Sequence, residues 1–222
     1  MIDRRLYDNP GSLPTAGQRF LLPGPAGVLE ALISGKALGP GSAAPVGVVC
    51  HPHPLYGGSM DNKVVHMVAA AFNRLEVPVL RFNFRGVGQS SGRFDQGKGE
   101  VQDLLAVVAW LRDKFPQAPL WLGGFSFGAF VAHAGHGEAG AGRLLLVAPP
   151  VDMYPMREYP HIEVPWLVVQ GGRDEIVSPH SVSSWVHRQS PEPEYRFLDE
   201  AGHFFHGKLI DLRQCIVDAW GE

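Results

Sequence analysis

Apolar runs of strand length alternate with helix-length segments along most of this chain, and that alternation leaves few folds open to it. Two strand-like segments, Arg19 to Leu22 and Val28 to Ser34, flank a turn at Pro23 to Gly27 and precede a loop rich in glycine, proline and alanine. The pattern then predicts strand Val46 to Cys50, helix Lys63 to Leu75, strand Pro78 to Phe84, helix Val101 to Phe115, strand Leu120 to Gly124 and helix Phe127 to Ala134. It continues with strands Arg143 to Ala148 and Trp166 to Gly171, helix Ser181 to Gln189, strand Glu194 to Leu198 and a last helix from Lys208 to Ala219. Strand and helix in turn imply an α/β protein with a doubly wound, mostly parallel sheet of about eight strands, helices covering both faces. Most runs are apolar without alternation, as strands buried on both faces require, whereas the opening pair reads as antiparallel edge strands.

Ligands of such sheets bind beyond the carboxyl ends of the strands, so the residues just after each run carry the functional reading. Gly124-Phe125-Ser126-Phe127-Gly128 follows Leu120-Trp121-Leu122 and places one serine between glycines, where a strand turns sharply into a helix. A serine hydroxyl is a poor nucleophile at neutral pH and needs a histidine base and a carboxylate to orient that base. Asp174 follows Trp166 to Gln170 through Gly171-Gly172-Arg173, and His203 follows Tyr195 to Leu198 through Asp199-Glu200-Ala201-Gly202. All three residues thus fall at one edge of the expected sheet.

The order Ser, Asp, His on successive strand-end loops resembles the α/β-hydrolase superfamily, and the resemblance covers the chain from about residue 18 onward. It rests on Phe82 to Ser90, Gly124 to Gly128, Gly171-Gly172-Arg173-Asp174 and Gly202-His203-Phe204. Within the superfamily, His51-Pro52-His53-Pro54 followed by Gly57-Gly58 is similar to small lid-less bacterial serine hydrolases related to dienelactone hydrolase. Dienelactone hydrolase itself uses a cysteine nucleophile where this chain has Ser126, so its substrate is not carried over. The resemblance implies an α/β-hydrolase fold and a catalytic triad of Ser126, Asp174 and His203. It also implies an oxyanion hole formed by the N–H of Phe127 and one from the loop after Cys50, expected at Leu55 with Tyr56 or His53 as alternatives. Pro52 and Pro54 have no N–H to offer. The implied activity is a serine hydrolase of the carboxylesterase type, cleaving small esters, or related thioesters and amides, through an acyl-enzyme. Acyl transfer to another acceptor, or a binding protein that kept the fold, are the alternative readings.

Competing assignments weigh less. Asp152, after Leu144 to Val147, and Glu175 are rival acids, but the Gly-Gly-Arg-Asp turn favours Asp174. His51 with His53 and His203 with His206 are close pairs, yet neither gathers the three or four ligands a zinc site needs, so no metal is expected. The other histidines read as surface or hydrogen-bonded residues. Gly86 to Gly92 lacks the strand-turn-helix context of a nucleotide cradle and reads as a tight structural loop, so no cofactor is expected. Only the short segment Pro149 to Pro165 separates two late strands, too little for a multi-helix cap, although Met153 to Tyr159 could shade the cleft.

With 45% apolar residues and a net charge of -3 in 222 residues, the chain can bury a substantial core and shows no basic tract. One domain over residues 1–222 is the expectation, with small-molecule substrates and neither nucleic acid nor membrane as partner. No stretch approaches the about 18 apolar residues of a membrane span, and the N-terminus lacks a signal-peptide core, which predicts a soluble cytoplasmic protein. Cys50 and Cys215 are expected as reduced thiols. Disorder is expected over residues 1–15 and Gly135 to Gly142.

Overall fold

The computed structural model describes residues 16–39, 41–156 and 161–221, so the expectation for residues 1–15 lies outside the described residues. The strands are β1 (Arg19–Gly24), β2 (Gly27–Ser34), β3 (Val46–Cys50), β4 (Val79–Phe82), β5 (Leu120–Phe125), β6 (Ala141–Val147), β7 (Trp166–Gly171) and β8 (Glu194–Leu198). The helices are α1 (Lys63–Arg74), α2 (Lys98–Lys114), α3 (Phe127–Ala139), α4 (Pro179–Val186) and α5 (Leu209–Trp220). The strands form one 8-stranded sheet in the order β1-β2-β4-β3-β5-β6-β7-β8. β1 with β2 and β2 with β4 are antiparallel, and every pair from β4 to β8 is parallel.

Successive residues of one strand enter opposite cores, which is why the central runs are apolar throughout. Val48, Leu122, Leu146 and Val168 join the side chains of α2, α3 and α4 on one face. Val49, Leu145, Val147 and Val169 join those of α1 and α5 on the other. The strand order reverses at β3: the chain moves from β3 to β4 on one side and returns to place β5 on the other. The crevice beyond the carboxyl ends of β3 and β5 is therefore the topological switch point, where open α/β sheets bind ligands.

Two expectations are corrected. Gly135 to Ala139 continue α3 rather than forming a disordered loop, because Gly135, His136 and Ala139 are buried, Gly135 against Val101 and Leu104 of α2, and Arg112 of α2 holds the helix end. The Arg112 guanidinium donates to the carbonyls of Ala139 and Gly140 at 2.8 and 3.1 Å, and the chain enters β6 directly. The glycines that suggested disorder are thus local choices overridden by tertiary packing. β1 also runs through Pro23, which an edge strand tolerates, leaving a shorter turn than predicted. Between β6 and β7 the described residues contain no α-helix, so no large cap covers the crevice.

Candidate active site

Ser126 caps the amino end of α3 in a backbone conformation that L residues seldom adopt, φ 54° and ψ -122°. The turn is sharp because helix and strand lie in backbone contact. A Cβ on Gly124 would sit 2.1 Å from the Gly128 carbonyl oxygen, and one on Gly128 would sit 2.3 Å from that of Cys50. Both glycines are thus required by close approach, and Gly128 lets α3 pack onto the end of β3.

His203 lies on the loop after β8, with its Nε2 3.1 Å from Ser126 Oγ. Its Nδ1 lies 2.9 Å from Asp174 Oδ2 and 3.1 Å from Oδ1. An ionised carboxylate only accepts, so Nδ1 carries the proton and Nε2 is left to accept from the serine hydroxyl. Asp174 also receives the N–H groups of Ile176 and Val177 on Oδ1 and the Gln170 amide on Oδ2. Burial by itself raises the Asp174 pKa, but the hydrogen bonds from His203 and Val177, then the His203 charge and the Ile176 N–H, outweigh it and hold the carboxyl below its ordinary value. The acid therefore stays ionised beside the imidazole. Asp152 is exposed and takes no part in this line. Glu175 has a separate place, accepting the backbone N–H of His203 at 3.1 Å.

The loop after β3 is anchored by His51, fully buried, whose Nδ1–H donates to Pro52 O at 2.6 Å and whose Nε2 accepts Phe84 N–H at 3.0 Å. Burial pushes its pKa down to about 4, so this ring is a neutral strut between β3 and the segment after β4. Beyond it comes a short 3₁₀ turn, Pro54–Tyr56, in the loop where the second oxyanion donor is expected. The Leu55 N–H donates to His53 Nδ1 at 3.2 Å, and Leu55 faces a neighbouring depression rather than the cleft holding Ser126. Its amide is committed to the turn. His53 and Phe127 line the Ser126 cleft, and the N–H of neither makes a hydrogen bond to another described residue. The two prolines around His53 drew attention to what they lack, whereas the turn they create decides which amide remains free.

That cleft has a volume of about 520 Å³, and its aromatic walls were not legible in sequence. His53 packs on Tyr56 and Phe94 with ring centroids 4.6 Å apart in each pair, and Phe127 lies 5.4 Å from Tyr154. Met153 and Tyr154, expected to shade the cleft, do line it, while residues 157–159 of the same segment lie outside the described residues. Among the described residues no group of three or more His, Cys, Asp or Glu is arranged to hold a metal ion. Both cysteines are free thiols, and no described helix is long and apolar enough to cross a membrane.

Sheet order, elbow and strand-end loops define an α/β hydrolase, and comparison with known proteins agrees. A family model of the alpha/beta hydrolase fold matches residues 48–134. The structure of an alpha-beta serine hydrolase homologue from Coxiella burnetii is 42% identical, covers 94% of this chain and 100% of its own, and superposes with a TM-score of 0.88. An α/β serine hydrolase without lid from Xanthomonas campestris is 40% identical, covers 93% of this chain and 94% of its own, and has the same TM-score of 0.88. An uncharacterised protein of Rickettsia prowazekii is 37% identical over 88% of this chain and 85% of its own length. The chain belongs to the α/β serine hydrolases, within their lid-less type.

Proposed function

We propose that the protein is a carboxylesterase-type hydrolase acting through an acyl-enzyme, with Ser126 as nucleophile, His203 as general base and acid, and Asp174 as the orienting carboxylate. The observation that carries this reading is the hydrogen-bonded line from Asp174 through His203 to Ser126 Oγ. Ser126 Oγ attacks the ester carbonyl while His203 Nε2 takes its proton. The developing oxyanion rests on the N–H groups of Phe127 and His53, two donors beside the nucleophile. His203 then gives its proton to the departing alcohol as the acyl–oxygen bond breaks. Water attacks the acyl-enzyme with His203 again as base, the acid leaves, and Ser126 regains its proton. Asp174 stays ionised and stabilises the imidazolium in both halves.

Thioesters and amides follow the same electron path and stand behind carboxylic esters. Acyl transfer to an alcohol or amine is the reading one step away, because the open cleft admits acceptors other than water. The proposed setting is a single catalytic domain acting in the cytoplasm on small molecules. A fluorophosphonate probe tests the assignment directly: the expected outcome is one adduct, mapped to Ser126 by mass spectrometry and reduced by competing ester. Labelling of a different serine, or none on folded protein, would overturn it.

A further inference from the structure

The cleft beside Ser126 is large enough for a small molecule and unusual in its lining. Its rings belong to His53, Tyr56, Phe94, Phe127 and Tyr154, while none of the described residues around it carries a formal charge at neutral pH. Burial lowers the His53 pKa and raises that of Tyr154, so both stay neutral. An anionic substituent would lose water there without gaining a cation. An aromatic ring would meet the exposed edges and faces of these side chains.

Pro150, Met153 and Ile176 complete the apolar lining, and one carboxamide, that of Gln96, stands among them. Gln96 adopts φ 53°, a left-handed backbone that is rare for a residue other than glycine, asparagine or aspartate. Its two neighbours hold it there: Glu100, with no exposed surface, accepts Asp95 N–H at 2.9 Å on Oε1 and Gly97 N–H at 2.7 Å on Oε2. Gly97 in turn packs on Phe130, where a Cβ would lie 2.5 Å from the ring, and Phe130 stacks on Tyr154 at 4.6 Å. A buried carboxylate and an aromatic stack thus fix the backbone on either side of one residue that lines the cleft. Gln96 is exposed, and its carboxamide makes no hydrogen bond to a described residue, which leaves it available to a ligand in the cleft. Strain held at a cleft wall with a free donor and acceptor points to recognition rather than to loop closure alone.

We propose that the Ser126 cleft selects esters bearing an aromatic ring with a neutral hydrogen-bonding substituent, and that Gln96 reads that substituent. The proposal rests on the hydrolase reading of Ser126 and narrows its substrate class. Ring and substituent can belong to the acyl or the alcohol half, and the test separates the two.

The acyl series is the methyl esters of 3-(4-hydroxyphenyl)propanoic, 3-phenylpropanoic and 3-cyclohexylpropanoic acids. The alcohol series is the acetates of the matching 2-arylethanols and of 2-cyclohexylethanol, whose leaving groups are chemically alike. In at least one series kcat/KM is expected to favour phenyl over cyclohexyl by about tenfold and hydroxyphenyl over phenyl by about fivefold. The series that shows this identifies the half that carries the ring. Gln96→Leu is expected to bring the hydroxyphenyl-to-phenyl ratio close to one. Gln96→Gly, which suits the left-handed backbone and secures folding, is expected to do the same. Equal rates for phenyl and cyclohexyl in both series overturn the aromatic selection while leaving the hydrolase reading intact. A hydroxyl preference that survives in Gln96→Gly overturns the role of Gln96. If no ester is cleaved, the hydrolase reading fails, and calorimetric titration with 3-(4-hydroxyphenyl)propanamide and 3-cyclohexylpropanamide tests the cleft alone. Tighter binding of the aromatic amide supports the proposal, and equal or absent binding overturns it.

Discussion

On one side of Ser126, Asp174 and His203 are 8% and 2% exposed, and on the other Tyr56 is 86% and Met153 56% exposed. The buried side is over-determined, since Asp174 accepts hydrogen bonds from two backbone amides, one carboxamide and one imidazole. The open side is held mainly by ring contacts. Proton transfer depends on placement to a fraction of an ångström, whereas packing against a substrate tolerates variation in shape. Burial and hydrogen bonds are concentrated on the Asp174–His203 side, whereas on the open side they reach the wall chiefly through Glu100, beside Gln96.

The largest effects are expected on the buried side. Ser126→Ala is expected to lower kcat for ester hydrolysis by about 10⁴-fold or more, against a change in kcat/KM below about tenfold for Met153→Ala across the cleft. Comparable losses in steady-state assays would erase the contrast. Asp174→Asn is expected to cost about 10⁴-fold in kcat by stabilising the wrong imidazole tautomer. Asp152→Asn, at an exposed position outside the line, is expected to stay within about twofold; the reverse result would move the acid to Asp152.

The junction of the two sides is His53, whose φ of -54° and ψ of 121° already suit proline. His53→Pro deletes the proposed oxyanion donor and is expected to lower kcat by about 10²- to 10³-fold. His53→Ala keeps the N–H and loses only the ring, and Leu55→Pro removes an amide already bonded to His53; each is expected to lose less than about tenfold. Equal kinetic losses for His53→Pro and His53→Ala would assign His53 to the substrate wall instead.

The smallest expected effect concerns stability rather than rate. Burial lowers the His51 pKa from 6.5 to about 4, the Pro52 hydrogen bond offsetting only part of it, and burial lowers His133 to about 3. Below pH 6.5 the unfolded chain takes up protons that the folded one refuses, so this contribution is full above 6.5 and is lost as pH falls toward those lower values. For His51 the whole change is on the order of 3 kcal/mol. Asp174 acts in a lower window: its contribution is full above the ordinary value of 3.8 and is lost as pH falls through its depressed folded value. Urea unfolding midpoints are expected to drop between pH 7.5 and 4.5 in the wild type and to drop less in His51→Gln. A wild-type midpoint that does not move would contradict the neutral, buried His51.

Ser126, Asp174 and His203 were legible because each sits in a short motif at the end of an apolar run, and strand-end positions in a parallel sheet converge. Gln170 and Glu100 were not legible, since a polar residue ending a strand or opening a helix has no pattern that reveals which carboxylate or amide it meets. Gly97 hid the start of α2 for the same reason: the Glu100 carboxylate accepts the Gly97 N–H there, but glycine brings no side chain to complete the usual capping signature. Gly135 misled because glycine propensity is local while the burial that holds α3 is not.

The sequence by itself determined the doubly wound sheet, its antiparallel edge and the Ser-Asp-His line, because hydrophobic period and turn chemistry act over a few residues. Only the tertiary structure decided that the Leu55 amide is occupied, that His53 stands beside Phe127, and that Gln96 joins the rings lining the Ser126 cleft. Those outcomes depend on which groups from distant loops meet and which hydrogen bonds are already taken, and burial and hydrogen-bond competition are settled only when the whole chain has packed.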